Sequence, residues 1–330
     1  MSDLLTTLAV KNGGYFTTAQ AHDCGYTARD LQRAVHTGVI RRLRRGTYAF
    51  AASWDSLSIE QRHTVLLKAV VAGMPGTVAA SGVSACALHN LSLWGHDLSK
   101  VHIVRLDGGA GRREAGVVHH HGVVDETALE IVDGVPCVPI DQAMCEAAID
   151  VSVEAGLVLF DSGLNRKVVT DDQLSRRATD MTRCPGTRKV RFGLMLADGR
   201  AQSPGETRNR YLYYRYHLPA PDLQVSIYDS HSGLLIGITD FGWELYHHLG
   251  EFDGLIKYRR MIEGDDREPE QVVIDEKKRE EALCDEGNGM TRTIWSELDP
   301  RVSEATARRT WQGLERSRKR FTRNRTIIAL

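Results

Sequence analysis

The sequence predicts a multidomain chain of the α+β or α/β class. Its 330 residues exceed what one ordinary hydrophobic core holds, so two or three folded domains are expected. Segments with helical periodicity are interspersed with short runs in which apolar and polar residues alternate. Changes in these patterns divide the chain into four parts, residues 1–50, 51–199, 200–315 and 316–330.

Composition limits the class of protein further. With 42% hydrophobic and 26% charged residues, the chain has the make-up of a folded soluble protein. Neither an apolar run of about 20 residues nor a charged and then apolar leader is present, so a cytoplasmic location is expected. The six cysteines include no CxxC pair, which favours reduced thiols over a zinc ribbon or a disulfide framework.

Charge is segregated although the net charge is only −1. Residues 1–50 contain seven Lys or Arg and three Asp, and residues 316–330 contain six Lys or Arg and no acid. The segment between Glu263 and Glu286 is acidic instead. Contact with a polyanion is therefore expected at the two ends of the chain.

The first fifty residues begin with three predicted helices. Leucines and an alanine at helical spacing indicate a first helix that ends at Gly13-Gly14. A second, short helix follows a threonine cap at Thr17 or Thr18, and a third, opened by Thr27, runs from Ala28 to Thr37. Two short helices joined by a tight, glycine-containing turn are typical of a helix-turn-helix.

A basic hairpin is predicted directly after the third helix. Basic and apolar residues alternate from Val39 onward, and the chain turns at Gly46. This pattern completes a winged helix-turn-helix, in which helix side chains reach base edges and wing side chains neutralise phosphates. The alternative is a helical docking module whose arginines form a solvated face. The proposed helix residues are Arg29, Gln32, Arg33 and His36, and the proposed wing residues are Arg41, Arg42, Arg44 and Arg45.

Residues 51–199 are predicted to form a mixed α/β domain. Ser58 and Gln61 have the spacing of a capping box at the start of a helix. Alternating residues in 101–105 and 117–121 indicate strands, and helices are expected further on. We find no catalytic motif in this part.

Three segments resemble the AbiEi family of abortive-infection antitoxins, especially its actinobacterial members. They are Gly14–Gln20, Ile40–Tyr48 and Ala80–Asn90, and the resemblance extends over about residues 1–180. It implies a transcriptional repressor that binds double-stranded operator DNA, commonly beside a nucleotidyltransferase-like toxin. The middle domain would then carry the contacts to that toxin or to a second copy of the chain in a homo-oligomer.

The carboxy-terminal third contains a set of acidic residues on predicted secondary structure. Ser203 caps a helix that has Pro204 at its first position and Glu206 three residues after the cap. Strands are expected over residues 223–228, 234–240 and 246–253. A short turn between strands would bring Asp240 near Glu251, and Glu251 would share one strand face with Asp253.

This part resembles the PD-(D/E)xK nuclease superfamily, and within it the Vsr-like endonucleases, over about residues 200–312. The resemblance includes residues 275–281 as the helix that follows the three strands and residues 292–298 as the next strand. The resemblance implies a restriction-endonuclease-like α/β domain with Glu206 as the helix acid and Asp240 and Glu251 as ligands of Mg²⁺. Oxygen ligands that hold Mg²⁺ activate water for phosphodiester hydrolysis. Asp253 stands where the superfamily most often has lysine, so Lys257 would serve only if the chain turns back at Gly254.

Each acid also has an alternative structural role. Glu206 fits a helix cap and Asp240 a turn cap, whereas Glu251 and Asp253 could pair with Arg259 or Arg260. Lys257 could be a solvated surface charge.

The sequence is compatible with three functions. They are a DNA-binding regulator of the antitoxin type, which we favour, a Mg²⁺-dependent DNA endonuclease, and a toxin-neutralising protein without catalysis.

Overall fold

The computed structural model describes residues 1–107, 112–114, 116–120, 125–181, 184–254 and 269–325. The chain forms two compact units. One contains residues 1–163 and 167–196, and the other contains residues 164–166 and the chain from Ala197 onward. The mixed α/β class predicted from the sequence is confirmed, since helices and several sheets are both present.

The first fifty residues form three helices and a small antiparallel sheet. Thr17 caps α2 and Thr27 caps α3, each through a complete capping box, so side chains satisfy the first backbone N–H groups of both helices. The strand order is β1-β3-β2. The bounds are α1 Asp3–Lys11, β1 Phe16–Thr17, α2 Thr18–Asp23, α3 Ala28–His36, β2 Ile40–Arg44 and β3 Thr47–Phe50.

This small sheet separates two apolar clusters. Phe16, Leu31 and Ile40 are buried together in the core between the helices and the sheet. A second cluster joins Tyr15 and Leu43 to side chains of the next two helices, α4 (Ala51–Ser56) and α5 (Ile59–Ala72). The hairpin is therefore fixed from both sides within the first unit.

A six-stranded mixed sheet forms the centre of the first unit, in the order β6-β7-β5-β4-β9-β8. The pairs β5–β7 and β4–β9 are parallel, and the other neighbours are antiparallel. Every residue of α6 (Gly82–Leu88) is buried. The strands are β4 Val78–Ala80, β5 Val101–Arg105, β6 Arg112–Glu114, β7 Val117–His120, β8 Glu130–Val132 and β9 Val135–Cys137, and the further helices are α7 Ile140–Ile149, α8 Val153–Asn165, α9 Asp171–Asp180 and α10 Thr187–Leu196.

The second unit is built on a four-stranded sheet in the order β10-β11-β12-β13. The first two pairs are antiparallel and β12–β13 is parallel. A parallel pair requires a crossover connection, which here includes α12. The elements are α11 Pro204–Arg215, β10 Asp222–Tyr228, β11 Leu235–Trp243, β12 His248–Asp253, α12 Pro269–Asp285, β13 Gly289–Ile294 and α13 Ser303–Arg325.

An aromatic core joins α11 to the sheet of the second unit. The ring of Tyr213 meets those of Phe241 and Trp243 edge-on, with centroids 5.5 and 5.1 Å away. Gly205 lets α11 approach closely, because a Cβ there would lie 1.9 Å from the Phe252 ring. The helix that carries Glu206 is thus positioned by a glycine–phenylalanine contact.

Several boundaries differ from the sequence prediction. β12 begins at His248 instead of residue 246, because Glu244–Tyr246 forms a 3₁₀ turn and His247 has a left-handed φ of 48°. Trp295–Leu298 is also a 3₁₀ turn and does not continue β13. The region expected as a separate basic tail continues α13 through Arg325. Packing of that helix on the sheet explains its length, since Ser317 on it is 6% exposed.

Candidate nucleic-acid interface and carboxylate site

One face of α3 carries four exposed polar side chains. Residues three, four and seven positions apart lie on the same side of a helix. The opposite side is anchored by Leu31, which is 2% exposed. The exposed residues are the four predicted from the sequence, Arg29, Gln32, Arg33 and His36.

Asp30, the acidic residue in the first turn of α3, forms hydrogen bonds with the capping residue of the same helix. The Asp30 carboxylate accepts the Thr27 N–H at 2.9 Å, and the Thr27 hydroxyl accepts the Asp30 N–H at 3.2 Å. The hydrogen bonds that the Thr27 hydroxyl and the Thr27 N–H donate to this carboxylate hold the pKa of Asp30 below its ordinary value. The carboxylate therefore serves the helix cap, beside a face that carries two arginines.

The β2–β3 hairpin presents the predicted wing arginines in different settings. Arg42 and Arg45 are exposed and Arg44 is half-buried. The ladder shifts between Arg42 and Arg44, which is a bulge that increases local twist. Gly46 completes the turn at a φ of 75°, in the region that favours glycine.

Arg41 differs from the other wing arginines because it is tied to α4. Its guanidinium lies 2.7 Å from the Asp55 carboxylate, with both side chains about half exposed at 47% and 49%. Asp55 raises the pKa of Arg41, and Arg41 in turn lowers the pKa of Asp55. This pair reduces the positive field that Arg41 offers to a ligand.

Glu206 lies buried at the start of α11, where its carboxylate accepts three hydrogen bonds. Donors are the Ser203 hydroxyl at 2.7 Å, the Gln202 N–H at 2.9 Å and the Gln224 side-chain amide at 3.1 Å. Ser203 also accepts the Glu206 N–H, so the local capping role predicted as the alternative is present. The bond from Gln224 additionally links α11 to β10.

Asp240 lies where β11 and β12 separate. Their ladder pairs Trp243 with His248 and ends with Phe241 opposite Gly250. Just beyond that pair, the Asp240 carboxylate accepts the Phe252 N–H at 2.7 Å. The Asp240 side chain thus accepts a backbone hydrogen bond at the point where the two strands separate. This hydrogen bond holds Asp240 close to the strand that carries Glu251.

Glu251 lies between two arginines. One oxygen is 2.6 Å from Arg279 of α12, and the other is 3.1 Å from Arg292, its parallel register partner on β13. Arg292 also approaches Asp253 at 3.3 Å, Glu276 at 2.7 Å and Glu280 at 3.2 Å. The two guanidinium groups therefore hold four acids in one network.

Burial and charge act against each other in this network. Burial raises the pKa of Glu251, although Arg279 and Arg292 oppose the change. Burial also acts to raise the pKa of Glu276, but hydrogen bonds from both arginines hold it below its ordinary value. Both oxygens of Glu251 already contact cations, so a metal ion at this carboxylate would have to displace a guanidinium.

The predicted catalytic residues are only partly brought together. Among the described residues, Glu206, Asp240 and Glu251 do not form a group of three acids with mutually close ligand oxygens. Lys257 lies outside the described residues, as do Arg259 and Arg260, the predicted partners of the acids. The structure therefore shows the contacts of the four predicted acids, whereas the role of Lys257 stays a prediction.

Three residues of the site were missed by sequence reasoning. Gln224 bridges toward Glu206 and has a φ of 54°, in the left-handed region that non-glycine residues rarely adopt. Nothing in an alternating strand sequence signals that conformation. Arg292 was missed because the parallel register of β12 and β13 places it opposite Glu251, and Arg279 was missed because it reaches Glu251 from the crossover helix α12.

A cavity of about 610 Å³, lined by both polar and apolar residues, lies in the first unit. His102 and His120 line it with their ring nitrogens 2.9 Å apart, beside the half-buried Glu146. Burial and the neighbouring His120 lower the pKa of His102 to about 4. The lining comes from separate segments of the chain, which explains why no sequence motif indicated it.

Two short helices followed by a basic hairpin, with an exposed arginine-bearing helix face, are typical of DNA-binding transcriptional regulators. Residues 3–51 match a family model described as "Transcriptional regulator, AbiEi antitoxin". This match supports the regulator class and the antitoxin family named from the sequence. No curated protein matches the chain. Within the described residues, no helix combines the length and apolar character needed to span a membrane.

Proposed function

We propose that this protein is a DNA-binding transcriptional repressor of the AbiEi antitoxin type. Residues 1–50 act as a winged helix-turn-helix, and α3 enters the major groove of operator DNA. The exposed face with Arg29, Gln32, Arg33 and His36 carries the proposal, because it lies within the residues that match the regulator family. Arginine and glutamine can each make paired hydrogen bonds to base edges.

The wing arginines supply affinity in this proposal. Arg42, Arg44 and Arg45 contact backbone phosphates, which position the protein without reading sequence. Arg41 contributes less because Asp55 already neutralises it. Each phosphate contact adds to the salt dependence of binding.

Binding to the DNA upstream of the protein's own gene tests the proposal. We expect a defined footprint, affinity that falls steeply with salt, and equal affinity in EDTA and in Mg²⁺. Arg33→Ala should remove the footprint, and Arg42→Gln should weaken binding to all DNA and reduce the salt slope by about 1. Arg41→Gln is the matched control and should cost less affinity than Arg42→Gln. Unchanged binding by Arg33→Ala would refute the α3 interface.

A Mg²⁺-dependent endonuclease is the second candidate function. The observation that favours it is the position of Asp240 at the separation of β11 and β12, next to the strand of the buried Glu251. In that function Asp240 and Glu251 hold Mg²⁺ in a PD-(D/E)xK-like domain, with Glu206, Asp253 and Lys257 assisting. Contacts from Arg279 and Arg292 to both oxygens of Glu251 weigh against it.

Cleavage assays on DNA and RNA with Mg²⁺ or Mn²⁺ separate the two functions. The repressor proposal predicts intact substrates. The second candidate predicts cleavage that is lost in Asp240→Asn and Lys257→Met while DNA affinity is retained.

A cognate toxin and a second copy of the chain are the proposed protein partners. The antitoxin family named by the match supports this part of the proposal. Affinity purification of the tagged chain with the product of the neighbouring gene tests the toxin, and light scattering tests the oligomer. A neighbouring protein that neither co-purifies nor changes operator binding would contradict the toxin partnership.

A further inference from the structure

The β8–β9 hairpin places a cysteine opposite a glutamate. Glu130 and Cys137 are direct register partners, and the Cys137 thiol donates to the Glu130 backbone carbonyl at 3.5 Å. Asp133 and Gly134 form the turn, both with positive φ. Lys68 of α5 forms an ion pair with Asp133, so the tip of the hairpin is fixed as well as its base.

His89 reaches the same place from the end of α6. It is the C-cap residue of that wholly buried helix, so its backbone position is well defined. Its Nε2 lies 3.9 Å from a Glu130 carboxylate oxygen. That separation exceeds a hydrogen bond, and the buried Nε2 has no hydrogen-bond partner among the described residues.

The three side chains have the donor atoms of a transition-metal site. The ligand atoms of His89, Glu130 and Cys137 all lie within 4.8 Å of one another, and within the described chain they form the one such group of three. Imidazole nitrogen, thiolate sulfur and carboxylate oxygen bind Zn²⁺ at about 2.0–2.3 Å. Ligands of one tetrahedral ion are then separated by about 3.3–3.8 Å, so small side-chain movements would close the group around an ion.

The different exposure of the ligands is compatible with a metal ion that keeps one coordination position open to solvent. Cys137 is 0% exposed, whereas the Glu130 side chain is 45% exposed. The thiol and the imidazole thus approach from the protein interior, and the carboxylate approaches from the solvent side. Three protein ligands with a fourth position for water are typical of accessible zinc sites.

We propose that His89, Glu130 and Cys137 form a binding site for a borderline-soft divalent metal ion, of which Zn²⁺ is the physiological example. The ion joins the end of α6 to the β8–β9 hairpin and leaves one coordination position to solvent. This site is independent of the repressor and endonuclease functions, because it uses none of their residues.

Titration of the chelator-treated full chain with Co²⁺ tests the site directly. Co²⁺ adopts the tetrahedral geometry of Zn²⁺ and gives a visible spectrum with a thiolate charge-transfer band. We expect one Co²⁺ per chain, the thiolate band, and displacement by Zn²⁺. In Cys137→Ser the band should disappear, and Zn²⁺ should raise the melting temperature of the wild type but not that of Cys137→Ser.

Two further variants guard against misfolding and adventitious binding. Glu130→Gln changes a side chain that is partly exposed, so the fold should persist while metal affinity falls at least about tenfold. Cys184→Ser removes an exposed free thiol elsewhere in the first unit and should leave stoichiometry and band intact. A band that survives Cys137→Ser but not Cys184→Ser, or no stoichiometric metal binding by the wild type, would overturn the proposal.

Discussion

Glu251 is the residue whose surroundings most limit the chemistry of the second unit. Its side chain is 8% exposed and both oxygens contact guanidinium groups. A buried carboxylate is tolerated only when paired, since removing its partner leaves an uncompensated charge. Arg279 and Arg292 therefore have a structural role whether or not the domain acts on nucleic acid.

Replacing one of these arginines should destabilise the protein. We expect Arg279→Met to lower the free energy of unfolding by about 2 kcal/mol, less than for a fully buried pair because Arg279 is 28% exposed. Arg301→Met is the control, since Arg301 is 87% exposed in its pair with Asp299 and its replacement should leave stability almost unchanged. Urea unfolding measures the free energy of unfolding of both variants. An equal loss in Arg279→Met and Arg301→Met would contradict a stabilising role for the ion pairs of Glu251.

At the scale of elements, strand β12 is held by a glycine contact with helix α11 and by histidine hydrogen bonds to its other neighbours. Gly205 allows the Phe252 ring to lie against α11, and His248 connects β12 to its neighbours. The His248 ring bonds to Ser317 of α13 and Thr291 of β13, each at 2.8 Å. These contacts hold the strand that carries Glu251.

The helix–strand contact predicts a strong effect of a single methyl group. Gly205→Ala should destabilise the protein by about 3 kcal/mol, because the new Cβ must displace a buried aromatic ring. Gly254→Ala is the matched control at the residue that follows this strand, since a Cβ there meets its nearest atom at 3.6 Å. Thermal unfolding of the two variants measures the difference, and similar melting temperatures would show that α11 and β12 pack differently.

His248 predicts a pH dependence of stability. Burial lowers its pKa to about 4 in the folded protein, whereas an unfolded histidine titrates near 6.5. The unfolded state therefore binds the proton first as pH falls, and stability is lost between about pH 6.5 and pH 4 by up to about 3 kcal/mol. His248→Gln should lose less stability over this range than the wild type. The exposed His231→Gln should follow the wild type in urea unfolding, and coincident curves for all three would contradict the assignment.

At the scale of the whole molecule, we propose that the first fifty residues recognise the DNA sequence. Helix periodicity alone located the exposed face of α3, since Leu31 and the capping threonine fix which side faces the core. The carboxylate site was less predictable. Its acids were found by spacing, but their partners depend on the separation of β11 from β12 and on a parallel register, which sequence patterns do not encode.

The same limit applies to Arg41. A run of arginines in residues 41–45 predicts a basic wing, and local patterning treats its members alike. Asp55 reaches Arg41 only because α4 packs beside the hairpin, which is a tertiary contact. The His89, Glu130 and Cys137 group was missed for that reason too.

The specificity ratio of operator binding tests whether α3 recognises the operator sequence. It is the affinity for a selected operator sequence divided by the affinity for unrelated DNA at the same salt concentration. We predict a ratio of at least about 10³ for the wild type, which falls near 1 in Gln32→Ala/Arg33→Ala while non-specific affinity changes little. A variant that keeps the wild-type ratio, or a wild type without any preferred sequence, would contradict recognition through α3.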